Sequence, residues 1–285
     1  MKKRFCKFPY IFTLPVTITL FALVIYPLIY AVFISLHSTA MGIQQAQFVG
    51  LRNFIDILSS PIFSNAVKNT AIFTAGTVGL TFFLGFVIAL LLSSITRGTD
   101  IYRVIFILPL GVSPVIAGLT WGMMLNPLFG IVNFFLEFLG IRGLGWATDI
   151  KLALPTVIMI DVWQWTPFMM LILYAGLQML PKECFEAAMI DGASFWQKFI
   201  YITLPLLRPI IVIALIFRLM EAFKSFDIIY TVTKGGPGHA TETMIVRAYL
   251  EGLKYHKLEY GAVIGLIMLF ITIFISQRAV KRLLE

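Results

Sequence analysis

The sequence predicts an all-α, polytopic membrane protein with six transmembrane helices, and three observations carry that expectation. Of 285 residues, 59% are hydrophobic and 13% charged, against roughly 45–50% and about 25% in ordinary soluble domains. Mean hydropathy is +0.92. The apolar residues gather into six long runs separated by polar segments. So little charge spread over a globular surface excludes a soluble enzyme, a disordered chain and a fibrous repeat together.

A spanning helix needs about 20 mostly apolar residues, because the hydrocarbon core is about 30 Å thick and each residue rises 1.5 Å. The runs that qualify occupy residues 12–36, 70–93, 104–125, 154–180, 204–229 and 261–276. The first follows Lys2, Lys3, Arg4 and Lys7, as a secretory signal would. Its apolar stretch is far longer than the 7–15 residues of a signal core, so it reads as a retained anchor. Pro27 inside it marks a packing kink. In the third run Pro109 and Pro114 bracket Gly111 and predict a distorted helix. The chain therefore divides into an N-terminal segment 1–11, a transmembrane domain 12–276 with a long loop at 181–204, and a tail 277–285.

The net charge of +8 would suggest nucleic acid in a soluble chain. Here it reads as orientation signal, because Lys and Arg accumulate on cytoplasmic loops. With a cytoplasmic N-terminus, Arg97, Arg103, Lys182, Lys198, Arg208, Arg278, Lys281 and Arg282 join the N-terminal bases inside. Basic density is then about two to three times higher inside than outside. Both termini are expected in the cytoplasm, with no nucleic-acid partner. Cys6 and Cys184 fall on the same side, as two free thiols in a reducing compartment. The three histidines are widely spaced and form no metal-ligand pattern. No repeat relates the first three runs to the last three, which disfavours a carrier built from inverted halves.

Ionisable residues at membrane depth cost roughly 2.5–3.5 kcal/mol even on lenient insertion scales, so they should face protein or water. The fourth run carries Asp161, and the fifth carries Arg218, Glu221 and Lys224, with Asp227 near its outer end. Helical spacing places Asp161, Gln164, Trp165 and Phe168 on one face of the fourth helix. It places Arg218, Glu221, Ala222 and Ser225 on one face of the fifth. Rise per residue brings Gln164 and Arg218 near the same depth. Rings beside amides and carboxylates suit a polyhydroxylated ligand, whose C–H faces stack while its hydroxyls bond. A buried ion network among Asp161, Arg218 and Glu221 explains the charges equally well, and both alternatives stand.

The loop after the fourth run reads Glu186-Ala187-Ala188-Met189-Ile190-Asp191-Gly192, then continues through Phe195, Trp196 and Phe199 to Ile202, Leu204 and Pro205. It predicts a short helix, a turn at Gly192 and a second amphipathic piece returning into the membrane. Small residues beside aromatic anchors suit either insertion into a partner's groove or a helix resting among lipid headgroups. The spacing Glu-Ala-Ala, three residues, Gly, nine residues, Ile, one residue, Leu-Pro resembles the EAA signature of the integral membrane subunits of binding-protein-dependent ABC importers. Thr231–Thr243 with its Gly-Gly-Pro-Gly, Arg103–Pro109 and Asp161–Pro167 are similar to the carbohydrate-uptake branch of that family, the permeases of maltose and glycerol-phosphate importers.

The resemblance implies a type I ABC importer permease fold in a bacterial or archaeal plasma membrane, moving a sugar or related polyol inward by alternating access. It also implies a second, similar permease as heterodimeric partner, two ATP-binding subunits and an extracytoplasmic solute-binding protein. Glu186, Ala187, Ala188, Asp191, Gly192, Leu204 and Pro205 would couple the chain to the ATPases. No G-x-x-x-x-G-K-[ST] phosphate loop occurs, so ATP and Mg are expected on the ATPase partners, with no cofactor bound here and no enzymatic step in this chain. The alternative is an ion-coupled secondary carrier using Asp161, Arg218 and Glu221 as its relay.

Overall fold

A computed structural model describes residues 8–39, 42, 45–95 and 98–284. Lys2, Lys3, Arg4, Cys6, Lys7 and Arg97 lie outside the described residues. Contacts divide the chain into two compact units, one of residues up to Phe63 with Arg247–Phe270, the other of Ser64–Val246 with residues from Ile271 onward. Among the described residues, five helical stretches are long and apolar enough to cross a membrane, or six when one bent pair counts as a span.

In the first unit, α1 (Phe8–Leu20) passes through a π turn at Phe21–Ile25 into α2 (Tyr26–Ser35). Pro27 lies two residues past that π turn, inside a continuous helical stretch, and its missing N–H leaves a gap in the ladder there. Only 6% of the span Thr13–Ser35 is buried, and it exposes apolar side chains all round, as lipid permits. A two-residue hairpin follows, β1 (His37–Ser38) with β2 (Gln47–Phe48), His37 opposite Phe48. Asn53 on α3 (Arg52–Leu58) closes this corner by donating its Nδ2 to the carbonyls of Ser35 and His37, both at 2.9 Å.

The second unit holds the main core. Helix α4 (Pro61–Ser94) has 34 residues, about 51 Å at 1.5 Å each, so it overruns the bilayer. The predicted third span is two helices. Helix α5 (Thr99–Ile107) runs through a 3₁₀ turn at Leu108–Gly111, and α6 (Pro114–Met124) leaves it at 92°. Two prolines lacking N–H groups, with Gly111 between them, weaken the ladder where the helix breaks. After α7 (Ile131–Phe138) comes α8 (Ala153–Gln178), the most buried spanning stretch. Pro167 interrupts its ladder, and the adjacent Thr166 donates its hydroxyl to the Val162 carbonyl one turn back at 2.6 Å.

The loop 181–204 folds as α9 (Lys182–Ile190), a turn at Gly192, α10 (Phe195–Lys198) and a π turn at Phe199–Thr203 leading into α11 (Leu204–Phe223). Ser194 and Gln197 form a capping box that starts α10. The predicted fifth span ends early. Helix α11 stops at Phe223, and α12 (Asp227–Thr233) restarts after Lys224, Ser225 and Phe226. Ser225 therefore lies in a break, off the helical face expected of it. The chain then continues through α13 (Met244–Tyr249) to α14 (Leu258–Leu284).

Buried Phe86, Ala89 and Leu92 of α4, Met169, Met170, Leu173 and Tyr174 of α8, and Leu207 and Ala214 of α11 form one cluster. Gly85 lets α4 and α8 approach: a Cβ there would sit 2.8 Å from Met169 Cβ and 2.9 Å from the Met170 backbone nitrogen. Without a hydrophobic drive between helices in lipid, such small-residue contacts are what allow tight van der Waals packing.

Candidate functional site: an intramembrane pocket and a docking loop

Two helix breaks and one α8 turn enclose a small polar pocket. Its lining comprises Pro114 at the start of α6, Trp165 on α8, Glu221 at the end of α11, Lys224, Ser225 and Phe226 in the second break, and Asp227 and Ile228 of α12. The cavity measures about 220 Å³. It exists because α6 packs on α12 and α11 on α8, which holds both breaks against the same turn. Backbone freed from helices at membrane depth is tolerated where protein or a cavity satisfies it.

Behind this pocket the Asp161 carboxylate pairs with the Arg218 guanidinium, both fully buried. Arg218 Nε also donates to the Thr81 hydroxyl at 3.4 Å, and the Ser225 hydroxyl donates to Asp161 at 3.4 Å. The guanidinium carbon lies 5.3 Å from the Trp165 ring centre, so Trp165 touches both the ion pair and the pocket. Phe168 meets Trp165 edge to face at 5.8 Å. Gln164 is buried and donates its Nε2 to the Val112 carbonyl at 2.6 Å, in the break between α5 and α6.

Of the residues singled out in the sequence, Trp165, Glu221 and Ser225 thus line the pocket. Asp161, Gln164, Phe168 and Arg218 support it from behind. Pro114, Lys224, Phe226, Asp227 and Ile228 complete the lining. Pro114 carried a signal as half of a Pro-Gly-Pro break, whereas the 224–226 break has neither Pro nor Gly to announce it. Glu221 pairs with Lys224 at 2.8 Å. Two carboxylates, Glu221 and Asp227, then stand against one ammonium, leaving a lining charge of −1. The aromatic walls and this balance suit a ligand that presents hydroxyls and apolar C–H faces.

The loop supplies the second feature. Glu186, Ala187, Asp191 and Gly192 are exposed, while Ala188 is buried and anchors α9. Gly192 has φ +73 with open space around it, a left-handed turn that glycine adopts without strain. Ile190, Phe195, Trp196 and Tyr201 are 87%, 63%, 66% and 75% exposed, an apolar surface beside the two carboxylates. Leu204 and Pro205 stay exposed where the chain enters α11. Phe199 touches Phe86 of the core with ring centres 5.6 Å apart, which ties the loop to α4. A 590 Å³ cavity lies between α9, α10 and the ends of α4 and α8.

Residues 81–285 match the family described as the binding-protein-dependent transport system inner membrane component. The chain is 38% identical over 262 residues to the trehalose/maltose transport system permease protein MalF of Thermococcus litoralis, spanning 92% of this chain and 88% of that protein. It is 34% identical to the sulfoquinovosyl glycerol transport system permease protein SmoG of Agrobacterium fabrum, over 92% and 85% of the two chains. It is 29% identical to the arabinooligosaccharides transport system permease protein AraP of Bacillus subtilis, over 96% and 87%. Its fold is similar to a chain of the bacterial alginate ABC transporter solved in complex with alginate pentasaccharide-bound periplasmic protein. The TM-score is 0.84 at 22% identity, covering 95% of this chain and 92% of that one.

Proposed function

The chain belongs to the inner membrane components of binding-protein-dependent transport systems, and from that premise we propose that it forms one half of a saccharide path across the plasma membrane. It is a permease subunit, and the hydrolysis that drives transport belongs to separate ATPase chains. In this reading residues 12–276 form the transmembrane body, with 1–11 and 277–285 in the cytoplasm. A second permease supplies the other half of the path, an extracytoplasmic binding protein delivers the saccharide, and two ATPase subunits carrying ATP and Mg dock on the loop 181–204.

The observation that carries this reading is the pocket at the two helix breaks. Trp165 and Phe226 offer apolar faces to a sugar ring, and Glu221, Ser225, Lys224 and Asp227 offer partners for its hydroxyls. The lining charge favours an uncharged saccharide or polyol over a sugar acid or phosphate ester, because Arg218 is already neutralised by Asp161. That mutual pair also removes two members from the ion relay that a secondary carrier would need. The exposed Glu186, Ala187, Asp191 and Gly192, with their apolar surroundings, supply the ATPase contact. Closure of the ATPases biases the permeases between inward-open and outward-open states, to the extent that they bind one state better.

The test is uptake of radiolabelled trehalose and maltose by the complete complex in proteoliposomes. Trp165→Ala and Glu221→Gln should each lower uptake about tenfold or more, the effect of losing one good sugar contact, with subunit assembly intact. Unchanged uptake in both variants would remove the pocket from the path.

A further inference from the structure

Gln164 stands on the α8 turn between Asp161 and Trp165, yet it lines no part of the pocket. Its side chain is 2% exposed and reaches across to the break in the third span. At that break Val112 is extended, with φ −84 and ψ 132. Helix α6 begins only at Pro114, where the Ala117 N–H turns back to the Ser113 carbonyl. The Val112 carbonyl is thereby cut off from the helical ladder at membrane depth, where an unsatisfied polar group costs several kcal/mol. Gln164 Nε2 donates to it at 2.6 Å. Gln164 Oε1 is buried and has no partner among the described residues. The Val112 contact alone therefore orients the amide, and a flipped amide would set oxygen against oxygen.

The geometry points to Gln164 as a positioning residue for transport: it clasps the broken third span to the α8 turn that bears Trp165, so that saccharide contact and the 92° bend are mechanically one unit. The two ends of this linkage are close in sequence. Pro114, two residues beyond the clasped carbonyl, is pocket wall, and Trp165 is the residue next to Gln164. One turn away Asp161 is held by Arg218 and Ser225. The turn is thus fixed to α11 and to the second break by side chains other than Gln164. Release of the clasp frees the α5–α6 break while leaving the pocket's sugar-facing groups in place.

The inference rests on the proposed path and is tested separately from it. In the complete complex reconstituted in nanodiscs, ATPase activity is measured without and with saccharide-loaded binding protein, alongside saccharide affinity and amide hydrogen exchange at residues 110–117. Gln164→Leu should lower the stimulated-to-basal ATPase ratio about fivefold or more, a modest coupling energy, and raise exchange at 110–117. Affinity for trehalose should stay within about twofold, because no sugar contact is lost. A backbone ester replacing the Val112–Ser113 amide weakens the same acceptor without touching α8. It should lower the ratio similarly and add little to Gln164→Leu, since both remove one interaction. An unchanged ratio and exchange in the assembled Gln164→Leu complex would overturn the clasp, as would additive losses from leucine and ester. If the leucine variant fails to assemble, the ester alone decides by the same ratio. Loss of trehalose affinity in Gln164→Leu would overturn it too, by making Gln164 a contact residue. Unchanged uptake in Trp165→Ala would instead sink the path itself.

Discussion

Asp161 and Arg218 are fully buried, where charge is expensive, and they meet each other, two hydroxyls and the face of Trp165. Removing one member leaves an uncompensated buried charge, at a cost of about 3–5 kcal/mol, whereas replacing both by apolar residues of similar volume is often neutral. Arg218→Met alone should therefore collapse the yield of assembled complex. Asp161→Leu combined with Arg218→Met should recover most of that yield, measured by size-exclusion chromatography in detergent. A double variant no better than the single would show a role beyond mutual neutralisation. Spacing along the sequence left substrate contact and ion network open for these residues, because it shows which face a group occupies but not what stands opposite. The partner lies 57 residues away, and only folding reveals that Trp165 touches both the pair and the pocket.

At the scale of elements, the helices that matter are interrupted ones. The break at 109–114 was legible because two prolines and a glycine leave no continuous ladder. The break at 224–226 was not, since Phe-Lys-Ser-Phe contains no breaker and the charges alone looked compatible with a long helix. Tertiary packing of α12 on α6 overrides that local preference. The helix, the Gly192 turn and the second amphipathic piece of loop 181–204 were legible from its turn glycine and its signature, whereas the capping box at Ser194 and the π turn at Phe199–Thr203 were not. The docking role proposed for it predicts that Glu186→Lys lowers ATPase co-purification about tenfold or more. At Gly192, φ +73 is tolerated by Asn and strained for a β-branched residue by about 1–2 kcal/mol. Gly192→Asn should keep the ATPase bound and Gly192→Val should weaken it, read in the same co-purification. Between helices, Gly85→Ala forces a Cβ to 2.9 Å from the Met170 backbone nitrogen. That overpacking should destabilise the assembled complex by about 1–3 kcal/mol in thermal unfolding.

Over the whole molecule, scarce charge made the few ionisable groups informative. Most of the basic excess reads as orientation, and the proposed topology has loop 181–204 in the cytoplasm. Cys184 is exposed on that loop. In intact cells it should react with a membrane-permeant maleimide and resist a charged, impermeant one, and equal labelling by both would invert the topology. The central claim is that this chain moves a saccharide by ATP-driven action through that loop. Its most direct measurement is accumulation of radiolabelled trehalose by proteoliposomes holding the complete complex, with binding protein on one side and ATP on the other. The account predicts accumulation that requires ATP, stops with vanadate, survives ionophores and is lost in Glu186→Lys. Accumulation that follows an imposed ion gradient and ignores ATP would contradict it.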